Sequence, residues 1–135
     1  MTNRYLRDDI PSPCYVCDEA KLEQNLQLMQ YVQNKAGVDI ILALKAFSMW
    51  STFPLIKQYL KGATASAVWE AKLANYEMGG EVHCYSPAYK QKDMDQLLDL
   101  VHHLSFNSIS QWDRFKEQVM QSSVSAGLRV NPEIQ

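Results

Sequence analysis

The sequence predicts an α/β protein, a partial (β/α)8 barrel amounting to about its first half, with parallel strands alternating with helices. Three observations carry that expectation. Short apolar segments of strand length alternate with amphipathic segments of helical period. The cycle recurs at intervals of roughly 20 residues, as right-handed βαβ units of a parallel sheet require. The run Ile40-Ile41-Leu42-Ala43-Leu44 is almost wholly apolar, the pattern of a strand buried on both faces.

In chain order, residues 13–17 read as a strand. Asp18 is a good N-cap for a helix to about Lys35, with Leu22, Leu26, Met29 and Val32 at helical spacing and Gly37 just past its end. Residues 39–44 are the apolar strand. Ser51 or Thr52 opens the next helix, which tolerates Pro54 in its first turn and turns Leu55, Ile56, Tyr59 and Leu60 inward. Residues 63–67 form a strand, and a helix over 69–78 stops at Gly79-Gly80. Residues 81–86 are strand-like, and a helix over 93–102 presents Met94, Leu97, Leu98 and Val101. Residues 104–107 make a short strand. Ser110, with Asp113 three positions on, resembles a capping box for a helix that buries Trp112, Phe115 and Val119. Residues 125–130 are the last strand.

The units share no motif at fixed offsets, so the period is not that of a solenoid. A complete (β/α)8 barrel needs about 250 residues, whereas this chain has 135 and ends just after a strand. The expectation is a single N-terminal portion of a barrel domain, residues 1–135, belonging to a longer protein. The alternative is an open sheet of five strands with an exposed edge.

Composition narrows the function classes. The chain is 47% hydrophobic and 21% charged, with a net charge of -2 and a pI near 5.9. There is no long basic run, so nucleic acid is not an expected partner. The apolar runs fall far short of the ~20 residues that span a bilayer, and the N-terminus carries Arg4, Arg7, Asp8 and Asp9 in place of an apolar signal region. Three cysteines cannot all pair, which suits a reducing compartment and a cytoplasmic location. Cys14 and Cys17 form a C-x-x-C, and His83 with Cys84 could complete a metal set on paper. In a strand, however, that spacing points the two thiols to opposite faces, and no metal is assigned.

Lys45 is the most informative residue. It ends the most apolar strand, and in parallel α/β folds the carboxyl ends of strands carry the active site. An amine flanked there by apolar residues would be partly desolvated, which disfavours the ammonium form and leaves a nucleophile able to form a Schiff base. The competing reading is a lysine that caps a strand and reaches into solvent.

The segment Ala43-Leu44-Lys45-Ala46-Phe47-Ser48-Met49-Trp50, followed by Phe53-Pro54-Leu55-Ile56, resembles the cofactor-lysine segment of carboxynorspermidine (carboxyspermidine) decarboxylases. Ser12-Pro13-Cys14-Tyr15-Val16 is similar to their opening segment. Thr64-Ala65-Ser66 with Glu70, Gly79-Gly80-Glu81-Val82-His83, Tyr85-Ser86-Pro87-Ala88-Tyr89-Lys90, Phe106-Asn107-Ser108 and Gly127-Leu128-Arg129-Val130-Asn131-Pro132-Glu133 continue the resemblance over residues 11–133. The wider group is the alanine-racemase-like (fold type III) pyridoxal-phosphate enzymes. Its ornithine and diaminopimelate decarboxylases usually follow the lysine with Ala-Asn or Cys-Asn, whereas Ala46-Phe47-Ser48 points to the polyamine branch.

The resemblance implies a barrel followed by a C-terminal β domain, a homodimer, and decarboxylation of a small-molecule polyamine precursor with pyridoxal 5'-phosphate. Lys45 would hold the cofactor covalently through its amine. Arg129, a charge within an apolar strand, needs a partner; the resemblance places it beside the cofactor ring, and the alternative is a structural ion pair with Glu70 or Glu133. Glu70 and His83 are further cofactor-binding candidates, although Glu70 opens a helix where a carboxylate is favoured anyway and His83 could be a satisfied core histidine. His102-His103 is placed at a helix end with no chemistry. Trp50, Trp69 and Trp112 are expected as core and interface anchors. The phosphate loop, the acidic partner of the pyridine nitrogen and the substrate-binding acids would lie beyond Gln135. Other readings are a diaminopimelate or ornithine decarboxylase, a small protein that only carries the cofactor, and a non-catalytic fragment.

Overall fold

The computed structural model describes residues 10–132. Five strands form one parallel sheet in the order β1-β2-β3-β4-β5: Leu42–Ala43, Gly62–Ala65, Glu81–Tyr85, His103–Phe106 and Ser125–Leu128. Every crossover steps the same way, and the right-handed rule for such connections then puts the connecting helices on one face. An open doubly wound sheet reverses its order and places helices on both faces; the wall of a barrel does not. Burial agrees with a single covered face. Ala63, Ala65, Val82, Cys84, Leu104 and Phe106 are buried, whereas the alternate residues Thr64, His83, Tyr85, His103 and Ser105 are only half-buried.

Helix α1 spans Glu19–Ala36, with the Asp18 carboxylate accepting from the Lys21 N–H at 3.2 Å and Gly37 left-handed at φ 65°. Both signals were legible in the sequence. Of its expected stripe, however, only Leu26 is buried; Leu22 is half-buried and Met29 and Val32 are exposed. After a single 3-10 turn, Trp50–Thr52, comes the short α2, Phe53–Ile56, with Pro54 in its first turn. Phe53, Ile56 and Leu60 reach the core, while Leu55 and Tyr59 are half-buried. Helix α3, Val68–Leu73, widens into a π turn, Ala74–Met78, which the Gly79 N–H closes on the Ala74 carbonyl at 2.9 Å. Helix α4 is Gln91–Leu97 and α5 is Ile109–Met120.

Several expectations are corrected. Residues 13–17 contain no strand: they have no ladder partner, and residues 13–16 are exposed. The apolar strand of 39–44 shortens to β1, because only Leu42, Ala43 and the Leu44 N–H engage the neighbouring strand. The last helix starts at Ile109, and its cap lies two residues before Ser110. Ser108 is its N-cap, accepting from the Gln111 N–H at 3.2 Å, and the Gln111 side chain reaches back to the Asn107 N–H at 2.8 Å. Asp113 instead pairs with Lys116 at 2.9 Å. Trp50 and Trp69 are exposed and only Trp112 packs on the core, edge-on to Phe106 at 5.4 Å. The helix expected over 93–102 ends before His102, and His103 opens β4.

Candidate active site

The carboxyl edge of the sheet collects the chemistry. Strand register fixes which residues share a row. Ala43, Thr64, His83, His103 and Ser125 are consecutive partners across the five strands, and Tyr85, Ser105 and Gly127 form a row two residues nearer the carboxyl edge. Alternation along each strand turns these rows to the face away from the buried layer.

Lys45 follows β1 by two residues, in a turn held by the Ala46 and Phe47 N–H groups on the Ala43 carbonyl at 3.0 and 3.1 Å. The side chain is exposed, which corrects the desolvation expected from its apolar neighbours. Leu44 goes into the core, and the turn carries Lys45 out past the end of the strand. An open groove of about 840 Å³ lies beyond this turn, between residues 46–49 and 15–18, and Lys45 does not line it.

Arg129 follows β5. Its backbone N–H donates to the Phe106 carbonyl at 2.8 Å, extending the ladder past Leu128. Its Nη1 donates to the Tyr85 hydroxyl at 2.6 Å and to Asn107 Oδ1 at 3.3 Å. The Tyr85 hydroxyl in turn donates to Asn107 Oδ1 at 2.8 Å, and the guanidinium lies 5.4 Å from the centre of the Tyr85 ring. The ion pair with Glu70 does not form, and Glu133 lies outside the described residues. The Glu70 carboxylate instead accepts from the Ser66 N–H at 2.6 Å, closing the turn between β2 and α3.

His83 stacks on His103 with ring centroids 4.2 Å apart and planes at 21°. Glu81 Oε2 lies 3.4 Å from His83 Nε2 and 3.9 Å from His103 Nε2. An ion within about 2.1 Å of both nitrogens would sit outside both ring planes, away from their lone pairs. The geometry is therefore that of two stacked imidazoles sharing a carboxylate. His102 serves the backbone, its Nδ1 accepting from the Val82 N–H at 3.1 Å. Cys14 and Cys17 are not beside Cys84, which is buried on the helix-covered face opposite His83. Desolvation pushes the Cys84 thiol up to about 11.

The sequence placed Lys45 at the carboxyl edge and singled out Arg129 as a charge within the last strand, whereas β5 ends at Leu128 and leaves Arg129 just beyond it. Tyr85, Asn107, His103 and Glu81 were missed. One signal was available: Tyr85 and Asn107 stand at the carboxyl ends of their strands, as Lys45 and Arg129 do. The set offers a primary amine, a guanidinium and a stacked aromatic pair. Chemically, that suits a group carrying a carbonyl and an adjacent anionic oxygen; the described residues contain no glycine-rich phosphate cradle.

No protein-family model matches the chain. It is 44% identical over 124 residues to carboxyaminopropylagmatine decarboxylase of Synechocystis. It is 39% identical over 126 residues to carboxynorspermidine/carboxyspermidine decarboxylase of Campylobacter jejuni, and 39% over 123 residues to that of Herminiimonas arsenicoxydans. These matches cover 91–93% of this chain but only 32–33% of each relative, in the N-terminal portion. The chain thus spans about a third of the length of the curated relatives it matches. Among solved structures, C. jejuni carboxynorspermidine decarboxylase complexed with norspermidine superposes with a TM-score of 0.88 at 39% identity, over 93% of this chain and 34% of that one. D-threonine aldolase from Filomicrobium marinum superposes with a TM-score of 0.80 at 16% identity, over 91% and 35% of the two chains, and shares the fold alone.

Proposed function

We propose that the chain forms the N-terminal part of a pyridoxal-phosphate-binding barrel domain in an enzyme that decarboxylates carboxynorspermidine or carboxyspermidine during polyamine biosynthesis. The rest of the barrel and a C-terminal β domain would complete it. The observation that carries the reading is identity of 39–44% to three decarboxylases over more than nine-tenths of the chain. The positions of Lys45 and Arg129 at the carboxyl edge support it, since that is where parallel α/β enzymes place their chemistry. We further propose a homodimer in the cytoplasm, in keeping with three free cysteines.

In this reading pyridoxal phosphate supplies an electron sink for the pair left when the carboxylate departs as carbon dioxide. The residues of the chain bind and orient. Lys45, exposed on a turn anchored to β1, would hold the cofactor through its amine. Arg129 would bring positive charge to the phenolic oxygen, and His83, backed by His103, would help to hold the cofactor. Glu70 acts on the cofactor indirectly, by holding the turn after β2.

The 44% identity to the carboxyaminopropylagmatine enzyme favours that compound as a second substrate reading. Decarboxylation rates of the full-length protein on carboxynorspermidine, carboxyspermidine, carboxyaminopropylagmatine, ornithine and diaminopimelate decide between them. One of the first three should give the highest kcat/KM. A preference for ornithine or diaminopimelate would overturn the substrate assignment and leave the cofactor assignment standing.

A further inference from the structure

The Arg129 guanidinium is gripped on one nitrogen by neutral groups. Nη1 meets the Tyr85 hydroxyl and Asn107 Oδ1, and these two are bonded to each other. The three residues come from three consecutive strands: Tyr85 closes β3, while Asn107 and Arg129 each follow the last residue of β4 and β5. Among the described residues no carboxylate lies within ion-pair distance of Arg129, and Nη2 and Nε have no protein partner. A carboxylate at this place would fix the side chain but neutralise it. A hydroxyl and an amide fix the plane of the fork and leave its charge for an anion from outside.

We infer that Tyr85 and Asn107 are positioning residues, which aim the free edge of the Arg129 guanidinium at an anionic oxygen of the bound ligand. The inference rests on the function proposed above, in which that oxygen is the phenolic oxygen of pyridoxal phosphate. Tyr85 contributes twice: its hydroxyl accepts from Nη1 while donating to Asn107, and its ring lies under the guanidinium.

Two variants of the full-length protein test it. Tyr85→Phe keeps the ring and removes the hydroxyl. Asn107→Asp keeps the acceptor and adds a counter-charge that captures the guanidinium. Each is compared with wild type by kcat and KM, by equilibrium dialysis against pyridoxal phosphate, by Tm, and by the pH midpoint of the visible band of the bound cofactor. In Tyr85→Phe, kcat should fall about tenfold with KM little changed, the loss of one hydrogen bond to a charged group. The pH midpoint should rise in both variants, because withdrawing or neutralising a nearby positive charge makes the cofactor's proton easier to hold. In Asn107→Asp this should occur without a lower Tm, since the new ion pair replaces the bond it alters. Wild-type midpoints in both variants, or losses that only follow Tm, would overturn the inference and leave the proposed function intact. A wild-type protein that develops no visible band with pyridoxal phosphate would overturn both.

Discussion

Gly62 and Glu81 face each other as register partners at the start of β2 and β3, so close that a Cβ on Gly62 would overlap the Glu81 backbone. The contact is backbone against backbone, so no side chain can rotate away to relieve it. Gly80 makes the matching approach from the other side: its φ is 78° and a Cβ there would overlap the Lys61 carbonyl. Together these two glycines let the backbones at the start of β2 and β3 run side by side, with the Glu81 N–H donating to the Lys61 carbonyl at 3.0 Å. Gly62→Ala should therefore cost roughly 1–3 kcal/mol of stability through overpacking, read as a fall in the denaturant midpoint. A variant as stable as wild type would show that the strands can separate there at no cost.

The cap of α5 gives a sharper test of local structure. Ser108→Ala removes the acceptor for the Gln111 N–H and should cost about 1 kcal/mol. Ser110→Ala, already inside the helix, should cost less. Chemical denaturation of the two variants side by side measures the difference, and the reverse order would return the cap to Ser110.

Buried acids on the helix-covered face set a limit at alkaline pH. Burial raises the Cys84 thiol from its ordinary value of 9.0 to about 11. Because the folded state holds this proton more tightly, the contribution is complete below about pH 9 and is lost as pH rises toward 11. The total is of order 2 kcal/mol. The Tyr89 hydroxyl is also raised, first by desolvation, and adds a loss of the same sign above about pH 10. Urea unfolding between pH 8 and 11 should show the decline as about two steps of one sign. Cys84→Ala should remove the part that sets in near pH 9 and spare the rest; an unchanged profile in that variant would rule the thiol out.

Lys45 should be the residue to which borohydride fixes pyridoxal phosphate in the full-length protein. Lys45→Ala should abolish the adduct, and Lys45→Arg should do so equally, since a guanidinium stays protonated and cannot form the imine. Because the side chain is exposed and stands beyond the strand, unfolding free energy should change by no more than about 0.5 kcal/mol. Peptide mapping identifies the modified lysine. An adduct on Lys57, on Lys61 (paired with Asp39 at 2.7 Å) or on Lys72 (bonded to Gln96 at 2.9 Å) would overturn the site.

Local signals in the sequence translated well where one residue decides a terminus. Asp18 and Gly37 bound α1 as read, and Gly79 and Gly80, both at positive φ, stop the helical segment before β3. The alternation of strands and helices, and with it the parallel sheet, was equally legible. Reading failed where several residues compete for one role. Val16 and Tyr15 favour strands, yet residues 13–17 have no neighbouring strand to pair with. Ser108 and Ser110 are both good caps, and only the path of the chain leaving β4 selects the first.

The sequence by itself determined the order of the elements and the placement of Lys45 at the carboxyl end of its strand, because periodicity and turn chemistry act over a few residues. Arg129, read as lying within the last strand, stands just past its end at Leu128. Tertiary structure alone decided the rest of the site. The grip of Tyr85 and Asn107 on Arg129, and the stack of His83 on His103 over Glu81, join residues from adjacent strands. Those contacts depend on strand register, which is fixed by packing the buried face as a whole, and a shift of one residue would turn every one of these side chains to the other side of the sheet.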